Sequence, residues 1–195
     1  MKQKYIFTDK FIVTDFGIKM FQIKCVSPFA NVSEGELGGY IEKECNLSQD
    51  GNAWVSGNAE VYGNARVYDN ARVYGDAQVS GNAWVYGDAQ VSGNAWVYGN
   101  AQVYGNAEVP GNARVYDDAD INSNDKHCGF DCFGSQNRHT HAYMTKQGTV
   151  EITCGCFQGT LDEFVKKVES THAGTVYEKQ YKAIAELIRI KFNLD

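Results

Sequence analysis

The residues able to do acid–base, nucleophilic or metal chemistry crowd into the last third of the chain. All four histidines (His127, His139, His141, His172) and four of the six cysteines (Cys128, Cys132, Cys154, Cys156) follow Asn122. His139 to Lys146 and Thr149 to Cys156 read as two strands around Gln147-Gly148, a two-residue hairpin loop. On that closure Tyr143 faces Ile152, His141 faces Cys154 and His139 faces Cys156, so two histidines and two cysteines share one face. They form the ligand set of a tetrahedral zinc site, with zinc the cofactor it would take, although this His-x-His with Cys-x-Cys spacing is not a common one. A slip of one residue in register would disperse the set. His127, Cys128 and Cys132 are further donors nearby. The competing reading is reduced thiols and hydrogen-bonded histidines buried beneath two helices. No residue stands out as a nucleophile, and no catalytic residue is assigned.

A second candidate site uses backbone rather than side chains. The amides at Gly159 and Thr160, where a helix begins, could hold an anion, with Ser135 and Arg138 arriving from the preceding loop. The same stretch, Thr160-Leu-Asp-Glu163, is a capping box, which competes for those amides. The helix it opens carries Leu161, Phe164, Val165 and Val168 on one face. A longer helix follows from about Tyr177, with Tyr181, Ile184, Leu187 and Ile188 as its apolar stripe. Residues 123–195 therefore read as a ββαα module.

What must position that module is a repeat. From Gly51 to Asn122 the chain is twelve uninterrupted hexads of the form Gly/Asp-Asn/Asp-Ala-x-Val-Tyr/Ser, with Ala invariant and Val yielding only once, to Ile121. A period of six fits neither a helix nor a long strand. It fits a short strand, x-Val-Tyr, with Val facing in, and a corner at Gly-Asn, whose residues tolerate left-handed backbone.

In this pairing of an aliphatic residue with a small one four positions later (Val55 with Ala59, Val61 with Ala65 and onward), the chain resembles the hexapeptide-repeat, left-handed β-helix family. The resemblance implies three hexads per triangular coil, hence about four coils, and assembly as a trimer. Enzymes of that family rely on histidines, as the base of acyltransferases or the metal ligands of γ-class carbonic anhydrases. Residues 51–122 contain none. Eighteen residues per coil sort the outward side chains into three faces, of which only the third has an unbroken tyrosine ladder: Tyr68, Tyr86 and Tyr104, with Trp84 beside it. Such a ladder either steadies the sheet as stacked pairs or marks an interface between subunits; a platform for a carbohydrate or nucleobase is a third use.

Residues 1–50 are strand-like, with Tyr5-Ile-Phe7, Phe11-Ile-Val13 and Met20 to Cys25 separated by turn signals, and are expected to form a β cap and lead-in that covers the open end of the coils. The Gly-Gly-Tyr-Ile-Glu and Asn-Leu-Ser elements that follow resemble uncharacterised bacterial and phage hexapeptide proteins labelled as transferases. The Gly-Ser-Gln-Asn-Arg and Cys-Gly-Cys-Phe-Gln-Gly-Thr-Leu-Asp-Glu-Phe segments resemble a tail recurrent in phage and prophage proteins.

Composition narrows the function. With 43% hydrophobic and 22% charged residues, the 195-residue chain is a folded protein, not a disordered one. A net charge of −6 and no basic cluster argue against nucleic acid as partner. No apolar run approaches the ~18 residues of a membrane span, and the N-terminus lacks a signal-peptide block, so a cytoplasmic protein with reduced thiols is expected. The sequence reads as a mainly β, non-enzymatic, oligomeric solenoid that binds and blocks or sequesters a small molecule or a host protein, as a phage or prophage anti-defence accessory would. The alternative is an acyltransferase-like enzyme on the same scaffold.

Overall fold

Each hexad keeps two residues as strand, and the smallness of its alanine lets the chain turn immediately afterwards. The computed structural model, which describes residues 3–194, shows this for all twelve hexads. Strands β4 to β15 are the x-Val pairs, running from β4 (Trp54–Val55) and β5 (Glu60–Val61) to β14 (Arg114–Val115) and β15 (Asp120–Ile121). Every third strand pairs in parallel at a spacing of eighteen residues, as in Trp54 with Arg72 and Arg72 with Gln90. Three flat sheets result. The inward valines and alanines are at most 1% exposed and form one continuous core.

The corners are as regular as the sheets. Gly57 has φ +67°, and a Cβ there would meet the Gly75 carbonyl oxygen of the next coil at 3.0 Å, so the left-handed corner and the close coil spacing both require glycine. Asn and Asp side chains at the following position bond from coil to coil, Asn64 to Asn82 and Asn82 to Asn100, each at 3.1 Å. On the third face the phenol rings of Tyr68, Tyr86 and Tyr104 stack with centroids 4.9 Å apart and planes within 5° of parallel.

The stack is longer than the hexads alone predict. β1 (Tyr5–Val13) and β2 (Lys19–Cys25) form an antiparallel hairpin, and β3 (Leu37–Ile41) pairs antiparallel with β2 but parallel with β5. Leu47 bridges in parallel to Val67. These pairings add a lead-in turn, giving about five turns rather than four. Their offset is twenty residues, not eighteen (Tyr40 with Glu60), and this irregularity hid the turn from a search for strict hexads. Trp54 occupies the outward x position of its hexad, yet it is only 3% exposed because Tyr5 and Phe29 of the lead-in cover its ring.

The C-terminal module has four strands, not two. β16 (His127–Phe133), β17 (Arg138–Met144), β18 (Val150–Cys154) and β19 (Phe157–Thr160) make an antiparallel meander in that order, followed by α1 (Leu161–His172) and α2 (Val176–Phe192). The missed β18–β19 hairpin closes on Gly155-Cys156, with Gly155 at φ +61°. Leu161, Phe164 and Val168 of α1 and Tyr181, Ile184, Ala185 and Ile188 of α2 pack on one side of this sheet. Leu187, expected in the stripe, is 51% exposed, since it falls between the turns that carry Ile184 and Ile188 inward. Among the described residues no helix is long and apolar enough to cross a membrane.

Candidate functional site: two clefts on opposite faces of the C-terminal sheet

The β17–β18 register decides which side chains meet. The pairs are Thr140 with Cys154, His141 with Thr153 and Ala142 with Ile152, one residue away from the expected pairing of His141 with Cys154, His139 with Cys156 and Tyr143 with Ile152. The cause is the loop. Thr145 and Thr149 close it by a backbone bond of 2.8 Å, leaving Lys146, Gln147 and Gly148 as a three-residue turn with Gly148 at φ +75°. Strand side chains alternate, so His139 and His141 face the solenoid while Cys154 faces the helices, and Cys156 is exposed on its turn. The four do not converge. No group of three His, Cys, Asp or Glu side chains arranged to hold a metal occurs among the described residues.

Beneath the helices lies a cavity of about 230 Å³. Its floor is Phe157, Phe164, Val168 and the ring of Tyr181, and Arg138, Lys167 and His172 stand around it with no acidic residue in the lining. Neither Arg138 nor Lys167 forms an ion pair among the described residues. Gly155 leaves the room that Arg138 occupies: a Cβ there would meet the Arg138 Cδ at 2.8 Å. Burial, with the neighbouring Cys154 thiol, pushes the Tyr181 hydroxyl well above its usual range, so it stays protonated and able to donate a hydrogen bond.

Of the expected anion-binding residues, Ser135 and Arg138 line this cavity, whereas Gly159 and Thr160 do not. The Thr160 N–H donates to the Glu163 carboxylate at 2.8 Å, the Glu163 N–H donates back to Thr160 Oγ1 at 3.3 Å, and Gly159 lies in β19 opposite Ile152. The capping box thus takes the helix start for itself. The residues that sequence reasoning missed, Lys167, His172 and Tyr181, sit on two different helices, and no local motif ties them to Arg138.

The other face of the sheet closes the end of the solenoid. His141 Nδ1 lies 3.2 Å from the Arg114 carbonyl oxygen, which also accepts from Thr153 Oγ1 at 3.1 Å. His127 Nδ1 is 3.1 Å from His141 Nε2, and His139 Nδ1 is 2.7 Å from Asp131 Oδ1. Burial pushes His127 down to about 4 and His141 to about 3, so both rings are neutral at pH 7. The Lys191 ammonium adds to the downward shift of His127, and the charge His127 would carry if protonated adds to that of His141, while backbone hydrogen bonding opposes each shift.

A family model described as the YdcK β-solenoid repeat matches residues 65–77, 77–93 and 89–105, all within the hexads. No protein of curated function matches the chain. With its three parallel sheets in eighteen-residue register and a matched repeat at their centre, the chain is a β-solenoid repeat protein.

Proposed function

We propose that this β-solenoid is a non-enzymatic, oligomeric binding protein whose C-terminal module captures a small anionic molecule with a planar, apolar body. The observation that carries this reading is the cavity beneath α1 and α2, where two cations without acidic partners, Arg138 and Lys167, flank an aromatic floor. A volume of about 230 Å³ suits a single-ring carboxylate or phosphate ester. A hydroxyl held protonated at Tyr181 favours recognition over proton abstraction. Self-association is placed on the third coil face, where Trp84 is 40% exposed beside the stacked tyrosines, and a trimer is the state proposed. The resemblance of the tail to phage and prophage proteins supports a role in withholding the bound molecule from a host defence.

Calorimetric titration of the full chain with aromatic carboxylates and aryl phosphates, against cationic and neutral isosteres, tests the reading. Saturable binding of anions only, weakened at least tenfold by Arg138→Ala and by Lys167→Ala, is expected. Binding indifferent to both substitutions, or no anion bound, would overturn it. Tyr86→Glu is expected to yield soluble monomer in light scattering, and an unchanged oligomer would remove the third face as the interface.

A further inference from the structure

The space around Arg138 does not end with the cavity beneath the helices. A second cleft, of about 310 Å³, opens where the last coil meets the sheet, with Asn112 and Arg114 of the solenoid on one side and Asp131, Asn137 and Gly155 of the module on the other. Arg138 borders both spaces.

Two guanidinium groups meet in this cleft against one small residue. Arg114 Nη1 donates to the Gly155 carbonyl oxygen at 3.1 Å. Arg138 rests on the same glycine: a Cβ there would run into its Nη1 and stand 3.1 Å from its Cζ. Arg114 is fixed without a ligand, since its guanidinium lies 5.0 Å from the centroid of the Trp96 ring. Neither arginine forms an ion pair among the described residues. The one carboxylate in the lining, Asp131, is turned to His139, whose Nδ1 lies 2.7 Å from Oδ1. One guanidinium fork satisfies a carboxylate, whereas two forks at one residue suit a group with more terminal oxygens, a phosphate.

We propose that the molecule captured beneath the helices is a nucleoside monophosphate, with its base on the aromatic floor and its phosphate between Arg138 and Arg114. This rests on the anion-binding reading of the cavity and narrows it. The floor of Phe157, Phe164 and Tyr181 and the paired arginines border different spaces, so a ligand that fills both carries ring and phosphate on a spacer, as ribose does. Ser135, Gln136 and Thr171 line the ring end and can bond the polar edge of a base.

The test is calorimetric titration of the full chain with the four ribonucleoside 5′-monophosphates, their nucleosides, phenyl phosphate and benzoate, with ³¹P shifts recorded in parallel. At least one monophosphate is expected to bind about tenfold or more tighter than its nucleoside and than phenyl phosphate. Arg114→Lys keeps the charge and loses the fork, and should weaken that monophosphate about tenfold while leaving benzoate unchanged. Asn112→Asp keeps the oxygen that accepts from Asn94 Nδ2 and matches the Asp that the repeat itself uses at residues 76, 88 and 118, so the coil is retained. It brings a negative charge to the cleft and should also weaken the monophosphate alone. Benzoate bound through Arg138 with no gain for any monophosphate over phenyl phosphate, or monophosphate affinity indifferent to both substitutions, would overturn the nucleotide assignment and leave the anion cavity standing. Failure of every anion to bind would overturn both.

Discussion

The solenoid and the sheet that closes it both stack strands, but they set register by different means. In the coils every strand is fixed by its own hexad, because an inward Val, an inward Ala and a left-handed corner recur each time the chain comes round. In the C-terminal sheet a single loop, Lys146 to Gly148, sets which residues of β17 and β18 meet. Redundant register leaves the outer positions free to vary. Register held by one turn makes every facing pair specific, and there the buried polar side chains collect.

That comparison breaks first in the coils. Val91→Asp places a carboxylate in a fully buried position without a partner and should cost more than about 4 kcal/mol. No cooperative thermal transition is expected for this variant; a retained transition would show that neighbouring coils can compensate. Next, deleting Thr149 keeps the three-residue loop, brings Val150 opposite Thr145 and so shifts β18 by one residue against β17. Ile152 and Val150 would leave the helix-facing core at a cost of roughly 3 kcal/mol or more. Near-ultraviolet circular dichroism should show the module loosened while far-ultraviolet strand signal from the coils persists.

Smaller effects sharpen the contrast. Tyr86→Ala removes two stacked contacts and should lower stability by roughly 1–2 kcal/mol in denaturant unfolding, whereas Tyr62→Ala, which has no stacked ring on either side, should cost less. A dependence on pH belongs to the lead-in. Lys4, whose Nζ donates to the Ala53 carbonyl at 2.9 Å, is pushed down to about 8 by burial. Between about pH 8 and 10.5 the unfolded chain therefore binds the extra proton, and stability should rise with pH by at most about 1.4 kcal/mol per unit. Lys4→Met should flatten that slope.

Legibility followed the same division. The three faces, the tyrosine ladder and the strand positions could be read because Ala repeats without exception and Val with only one, Ile121, all in phase. The lead-in turn was missed because its offset of twenty residues breaks the period. The histidine–cysteine face failed because Gln147-Gly148 serves as a two-residue turn or as the end of a three-residue turn, and the choice inverts a whole strand. Helix α1 and its cap were readable from Thr160 and Glu163, but the cavity they help to build was not. Its cations come from a strand and a helix joined only by folding, and its size depends on Gly155 leaving space for Arg138.

The bonds that join the coils, such as Glu60 N to Ala77 O and Gln78 N to Ala95 O, each 2.9 Å, all lie along the long axis of the molecule. A tether pulling the two ends apart would load them one rung at a time, not all together. Each rung that parts would release eighteen residues, up to about 60 Å of slack. The protein would thus lengthen under tension in even steps, like a measuring tape marked at every coil.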